Sequence, residues 1–491
     1  MDKINPTYVT FALYLLFMVG VGAYFYRKNK SLDDYLLGGR GVGSWVTALS
    51  AQASDMSGWL LMGLPGAIYM AGMGETWVAI GLALGTLLNW IFIAPRLRIY
   101  TEKTNAMTLS SFFANRFRDP SRMLRMVSAA VILIFFTIYA ASGLVATGKL
   151  FNSMFGFDFT VSVIIGTIII LAYVILGGYL AVCWTDLFQG ALMFFALVLV
   201  PVLACMTPEA KNLSEVCQER NLTLSLFPNG FGTLAIMAIL SSAVWGLGYC
   251  GQPHILTRFM SIKSVKLLPR TTVIAMIWVI ISLVAAVVIG VLAIPMYPEL
   301  DAGEAEKVFI FMVRDLFNPW IGGILLAAIL AAIMSTIDSQ LLVSSSTLTE
   351  DFYRILVRKD ATPKELVLVS RLFVLLMTAI AGLLAVLPNN TIFGIVKFAW
   401  GGFGAAFGPV VIMALYSKKT SWQSALGGMV AGTVVMVTWY CLGLNKYMYE
   451  ILPGFIAGLV VIMIMNKLKP QQDEAILAEY DEMQKELKGG E

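Results

Sequence analysis

Apolar runs of about twenty residues, separated by short polar stretches, recur from one end of this chain to the other. A membrane-spanning helix needs about 20 mostly apolar residues. By that rule the pattern predicts about thirteen spans, roughly at 7–26, 44–71, 75–95, 123–150, 159–180, 184–207, 232–257, 271–295, 318–348, 366–388, 391–416, 423–442 and 449–466. No connecting stretch is long enough to fold a soluble unit with its own core. The expected fold class is therefore an all-α polytopic membrane protein whose work is done inside the bilayer. The first run lacks a convincing A-x-A cleavage site and is expected to be a retained helix.

Two of the spans are interrupted. The second carries Ala51-Gln52-Ala53-Ser54-Asp55-Met56-Ser57-Gly58-Trp59, small and polar residues where an uninterrupted span would place Leu or Val. Small residues also serve tight helix packing, but packing does not require an acid. A break here would free carbonyls that bind cations and amides that bind carboxylates. The seventh span contains Trp245-Gly246-Leu247-Gly248-Tyr249-Cys250-Gly251-Gln252-Pro253-His254. Three glycines and a proline within nine positions disfavour a continuous helix, and Pro253 suits the first turn of a resumed one. The two aromatics either line a small pocket or pack a core, and His254 reads as a satisfied buried histidine. Because each interrupted span opens a run of five, the spacing points to an inverted-repeat transporter.

Composition narrows the chemistry. Of 491 residues, 58% are hydrophobic and 13% charged, with mean hydropathy +0.80; soluble proteins are about 25% charged. A single histidine excludes His-rich metal centres and histidine relays. Five scattered cysteines form neither a disulfide framework nor a CxxC site and read as small apolar fillers. No phosphate-binding loop of the G-x-x-x-x-G-K-[ST] type is present, which argues against ATP-driven transport.

Lysine and arginine concentrate in alternate loops: Arg27, Lys28, Lys30 and Arg40; Arg96 to Arg125; Arg258 to Arg270; Arg354 to Lys364; then Lys418, Lys419, Lys467 and Lys469. This bias places the N-terminus outside and the C-terminus in the cytoplasm. The net charge of +4 then reflects loop ends facing anionic lipid rather than a nucleic-acid site. The tail, 471–491, holds seven acids against Lys485 and Lys488 and reads as a solvated helix or frayed end.

Ionisable residues inside a span are functional candidates. Asp55, Asp186 and Asp338 qualify, although Asp186, in the turn Cys183-Trp184-Thr185-Asp186, also suits capping of the next helix. Lys397 lies near a span end, where snorkelling to the interface is the better reading. In the ninth span Ala332, Ser335 and Thr336 share one helical face. Two hydroxyls and a carbonyl suit a small alkali cation, and interhelical hydrogen bonding is the competing explanation.

These stretches resemble the solute:sodium symporter family over nearly the whole chain. The most specific matches are Asp34-Tyr35-Leu36-Leu37-Gly38-Gly39-Arg40, Ser54-Asp55-Met56-Ser57-Gly58-Trp59, residues 245–254, Ala331-Ala332-Ile333-Met334-Ser335-Thr336 and Gly402-Phe403-Gly404-Ala405-Ala406-Phe407-Gly408-Pro409. The resemblance implies a LeuT-like five-plus-five inverted repeat with discontinuous helices. Its units are 1–43 (first helix and loop), 44–207 and 232–416 (the two repeats), 417–470 (two C-terminal helices) and 471–491 (cytoplasmic tail). It also implies Na+-coupled uptake of L-proline across a bacterial inner membrane, with no organic cofactor and no obligatory protein partner.

Carried over residue by residue, the resemblance implies a Na+ site of the Ala53, Met56 and Ala332 carbonyls with the Ser335 and Thr336 hydroxyls, Asp55 standing nearby. The implied substrate pocket is Ser57, Gly58, Trp59, Tyr139, Trp245, Tyr249 and Pro253. Arg40 would belong to the cytoplasmic gate and Asp186 to the ion exit path. The family's proline members usually hold a small neutral residue at the position of Asp338. That departure admits a second cation site formed with Asp186 and Ser339, or else an acid held protonated or paired. The competing functions are a Na+ symporter of another amino acid, a carboxylate or a sugar, and an ion channel. An intramembrane enzyme has too few paired catalytic groups to draw on.

Overall fold

The structure, a computed structural model, describes residues 5–26, 37–174, 178–228, 230, 232–387 and 391–489. The loop cations Arg27, Lys28 and Lys30, and the Asp34-Tyr35-Leu36 part of the first motif, lie outside the described residues. Within them the chain is helical, with one isolated bridge between Val42 and Ile262.

Among the described residues ten helices are long and apolar enough to cross a membrane. They are α4 (Met73–Lys103), α6 (Met123–Phe155), α8 (Tyr179–Ala204), α10 (Thr233–Gly251), α12 (Val265–Met296), α14 (Pro319–Ile355), α15 (Pro363–Ala385), α16 (Ile392–Tyr416), α17 (Trp422–Cys441) and α18 (Ile451–Leu468). Shorter apolar helices are α1 (Pro6–Tyr26), α3 (Trp59–Ala71) and α7 (Phe159–Val174). Between them run α2 (Ser44–Asp55), α5 (Leu109–Phe117), α9 (Leu213–Glu219), α11 (Pro253–Ser261) and α13 (Val308–Leu316). Helix α19 (Glu474–Gly489) ends the described chain.

The core is built around α14 and α16, the two most deeply buried of the ten. Helix α14 packs against α1, α6 and α8, and α16 against α6, the end of α10 and the α17–α18 hairpin. Helix α2, lined on nearly every side by buried residues, is sandwiched among α8, α11, α12 and α14. Helices α4 and α10 touch backbone to backbone: a Cβ on Gly81 or Gly246 would overlap the other helix's main chain. Small residues permit this approach, the usual device for joining helices in lipid.

Three expectations are corrected here. The acidic tail is neither solvated all round nor frayed. Helix α19 buries Ile476, Tyr480 and Met483 against the protein and is held by Lys103 to Glu486 (3.0 Å), Arg118 to Glu479 (3.3 Å) and Lys418 to Asp481 (3.3 Å). One face is apolar and the other meets the basic loops, so both hydrophobic and charge complementarity dock it. Lys397 does not simply reach for lipid: its ammonium lies 4.9 Å from the centre of the Tyr449 ring, and the residue lines a cavity that opens at the protein surface. All five cysteines are free; Cys205 and Cys441 are exposed rather than acting as fillers.

Candidate functional site

Helix α2 stops at Asp55. Met56 leaves the helical region (φ −89°, ψ 78°) and the chain resumes through a wide turn at Trp59–Gly63 into the rest of α3. The Asp55 carbonyl, released from the helical ladder, accepts from Ser57 N (3.1 Å), Trp59 Nε1 (3.2 Å) and Tyr139 Oη (3.3 Å). The amide of Ser57 is thereby already engaged, and that of Trp59 points to Ser57 Oγ at 3.4 Å. The Asp55 carboxylate is fully buried. Tyr249 donates to its Oδ2 at 2.6 Å, while Oδ1 has no hydrogen-bond partner among the described residues. A buried carboxylate oxygen without a donor is costly, and a cation beside it would relieve that cost. Gly58 is where a Cβ would press on Ala146 and Ile333, each at 3.1 Å.

The second interruption is also present. Helix α10 narrows to a 3-10 turn over Val244–Gly251, Gln252 is extended, and Pro253 opens α11. Trp400 clamps this break, donating through Nε1 to the Trp245 carbonyl (2.9 Å) and accepting at its own carbonyl from Gln252 Nε2 (3.2 Å). Gly248 leaves room for that indole, which a Cβ would overlap. The Trp245 ring lies 6.2 Å from Trp59, 5.0 Å from Phe393 and 5.6 Å from Tyr449. Above it, at the end opposite the basic loops, a cavity of about 340 Å³ is lined by Glu75, Ser241, Ser242, Phe393 and Lys397.

The structure thus brings Ser57, Trp59, Tyr139 and Tyr249 against Asp55, with Trp245 beside Trp59 and Gly58 facing Ala146 and Ile333. Pro253 stands one step away, joined to the group through His254, whose ring meets Tyr139 edge-on at 6.3 Å. His254 itself departs from the expectation of a satisfied histidine. It is buried among rings, Phe136 at 5.4 Å included, and neither ring nitrogen has a hydrogen-bond partner among the described residues.

Two residues before Asp55, at Ala53, four of the expected oxygens meet. Ser335 Oγ donates to the Ala53 carbonyl (2.7 Å) and the Ala332 carbonyl (3.1 Å), and Thr336 Oγ1 to the same two at 3.4 and 3.2 Å. Each of the two hydroxyls on α14 therefore sits within hydrogen-bond distance of both carbonyls, one from each helix, and Met56 at the break is buried. Neutral hard oxygens drawn from two helices can dehydrate a small monovalent cation and, in doing so, tie those helices together.

Asp186 does not cap a helix: α8 begins at Tyr179, and Asp186 lies inside it. Its Oδ2 accepts from Ser50 Oγ (2.6 Å), Ser54 Oγ (3.2 Å) and Arg258 Nη2 (3.0 Å). Arg258 is the residue that sequence reasoning missed, having been grouped with loop cations. It is buried in α11 and also donates to Ser339 Oγ (2.5 Å), Ser50 Oγ (3.1 Å) and the His254 carbonyl (3.0 Å). Asp338 adjoins this network through Ser339 Oγ at 3.4 Å. The Arg258 guanidinium thus lies between Asp186 and Ser339.

Toward the basic end, Arg40 fastens three segments. Its guanidinium donates to the carbonyls of Met260 (2.9 Å), Thr101 (3.1 Å) and Ala106 (2.7 Å). Beside it Val42 pairs with the chain at Ser261 and Lys263 (3.2 and 2.9 Å), and Tyr179 Oη lies 2.6 Å from Ser261 Oγ. These contacts close the basic end beneath the Asp55 site.

The profile of the sodium:solute symporter family matches residues 35–432. The chain is 44% identical to a sodium/proline symporter of Haemophilus influenzae over 99% of both chains. It is 45% identical to a sodium/proline symporter of Escherichia coli over 97% of this chain and 96% of that one. To a high-affinity proline transporter of Bacillus subtilis it is 45% identical, over 95% of this chain and 99% of that one. Among solved structures, a Na+-coupled sialic acid symporter in a substrate-bound outward-open state superposes with a TM-score of 0.80 at 19% identity, covering 95% of this chain and 99% of that one. A weaker likeness, TM-score 0.54 at 16% identity over 86% and 98% of the chains, is to MhsT in complex with L-phenylalanine. The fold is therefore LeuT-like, and the chain belongs to the sodium:solute symporter family.

Proposed function

We propose that this protein is a secondary active transporter that couples inward Na+ movement to uptake of L-proline by alternating access. The observation that carries the reading is the junction of α2 and α14. There Ser335 and Thr336 reach the carbonyl of Ala53 across the helix interface, next to the break that holds Asp55. Relatives named for proline transport over nearly the full length support the choice of solute.

In this reading Na+ takes the Ala53, Met56 and Ala332 carbonyls and turns the lone pairs of Ser335 and Thr336 toward itself, with the Asp55 charge nearby. Bound Na+ draws α2 onto α14 and completes the break that receives the solute. Coupling arises because Na+ favours the solute-binding conformation, and the solute must favour the Na+ form by the same factor. Proline is a zwitterion with an apolar ring. Its ring and secondary ammonium suit the Trp59, Trp245, Tyr139 and Tyr249 rings through apolar and cation–π contact. Its carboxylate suits the amide of Gly58 at the break and the start of α11 after Pro253.

The thirteen apolar helical segments form a first helix, two five-helix repeats over 44–207 and 232–416, and two C-terminal helices. Each repeat opens with an interrupted helix. The basic end faces the cytoplasm of a bacterium, so the N-terminus is outside and the C-terminus inside. Arg40, Val42 and Tyr179 then form the closed inner gate, and the Lys397 cavity is the outer vestibule. Asp186 and Ser339 hold Arg258 rather than a second Na+, which makes one Na+ per proline the expected ratio.

The test is labelled proline uptake by purified protein in proteoliposomes. Uptake above the equilibrium level with an inward Na+ gradient, and only equilibration without it, is expected. Gradient-independent equilibration, or Na+-driven uptake of another solute in place of proline, would refute the reading.

A further inference from the structure

At the basic end a cleft of about 900 Å³ opens between the lower part of α4 and the loop that leads into α12. Its polar wall carries Arg96, Arg98, Lys263 and Lys266, opposed by Glu102 and Glu486. The acids are already used: Glu102 pairs with Arg98 at 2.6 Å, and Glu486 with Lys103 at 3.0 Å. Lys263 and Lys266 are both exposed, three residues apart across the start of α12. The other wall is apolar: Ile91 is exposed and Pro95 half-buried over the buried Trp90 and Leu268, and farther along α12 Val273 and Ile277 are exposed. Cations at the rim of a bilayer-spanning bundle, above an apolar furrow that runs along two helices, match the chemistry of a negatively charged headgroup with acyl chains attached. A water-soluble anion would use the cations and leave the furrow unused. A zwitterionic lipid would use the furrow and gain little from the lysines.

We propose that this cleft binds an anionic phospholipid, its phosphate between Lys263 and Lys266 and its chains along Ile91 of α4 and the exposed Val273 and Ile277 of α12. The site bears on the gate. Lys263 N donates to the Val42 carbonyl at 2.9 Å, and Arg98 Nε to the Ile262 carbonyl at 2.6 Å. A lipid seated on Lys263 and Lys266 therefore braces the strand-like segment that closes the basic end.

The probes are phosphatidylglycerol, phosphatidylcholine and glycerol phosphate, each titrated onto the full-length protein in detergent and read by native mass spectrometry. A cation near the lipid surface contributes about fivefold in affinity. The double variant Lys263→Gln/Lys266→Gln should therefore bind phosphatidylglycerol about 30-fold more weakly than the parent, with phosphatidylcholine binding unchanged. Both lysines are exposed, so folding is expected to be unaffected, and an unchanged thermal midpoint checks it. Equal retention of phosphatidylglycerol by parent and variant would overturn the proposal. So would equal retention of the two lipids by the parent, or no retention at all. Glycerol phosphate displacing the lipid at comparable concentration would assign the site to a soluble anion instead. None of these outcomes depends on which solute is transported.

Discussion

Arg258 and Asp186 join α11 to α8, with Ser50 of α2 and Ser339 of α14 on the same guanidinium. In Arg258→Met the Asp186 carboxylate keeps Ser50 and Ser54 as donors and loses its counter-charge; in Asp186→Asn the guanidinium is left facing neutral oxygens. Removing one member of a buried ion pair costs about 3–5 kcal/mol, whereas replacing both members by neutral groups is often nearly neutral. Each single variant should therefore lose about 3–5 kcal/mol and the double variant about 1–2 kcal/mol, the remainder reflecting the lost serine contacts. A coupling of roughly 4 kcal/mol or more between the two sites follows. Unfolding of all four proteins by sodium dodecyl sulfate in mixed micelles measures it. Losses that simply add would refute the pairing, and with it the assignment of Arg258 as the fixed cation of this site.

Three further outcomes are expected. Ser335→Ala removes a hydroxyl that sits 2.7 Å from the Ala53 carbonyl; a contact to a charged group contributes about 1.5–3 kcal/mol. The Na+ concentration for half-maximal uptake should thus rise about 10- to 150-fold, and an unchanged Na+ dependence would remove Ser335 from the site. Trp245→Ala strips the ring that faces Trp59 and Phe393 and should weaken proline binding about tenfold or more. Na+ binding, read by the protection it gives against thermal unfolding, should persist. Helix α19 is docked partly by exposed ion pairs, which salt screens. Limited proteolysis should clip it several-fold faster in 0.5 M than in 0.05 M NaCl, and a salt-independent rate would assign its docking to Ile476, Tyr480 and Met483 alone.

Much of the candidate site was legible in the chain because a membrane leaves few reasons for polar residues in a span. The cluster around Asp55 and the glycines before Pro253 marked the two helix breaks, and the three- and four-residue spacing of Ala332, Ser335 and Thr336 marked one face of α14. Arg258 was not legible. Its neighbours Lys263, Lys266 and Arg270 look like a loop, and its partner Asp186 lies 72 residues away, so only the packing of α11 against α2 and α8 reveals the pair. The docking of the tail left a signal that its charge concealed: Ile476, Tyr480 and Met483 fall four and three residues apart, one apolar stripe on an acidic helix. Lys397 read as a snorkelling residue because hydropathy locates a residue along a span but not around it. Its position over Tyr449 is set by the approach of the α17–α18 hairpin to α16.

Coupling with a single Na+ is the central claim, and the steady-state accumulation of proline tests it most directly. A tenfold inward Na+ gradient stores about 1.4 kcal/mol per ion. With the membrane potential clamped to zero in proteoliposomes, one Na+ per proline predicts accumulation of about tenfold and two predict about a hundredfold. A plateau near tenfold that collapses when the Na+ gradient is dissipated is the expected result. A plateau near a hundredfold would contradict Arg258 as the fixed cation, and no accumulation at all would contradict Na+-coupled transport of proline.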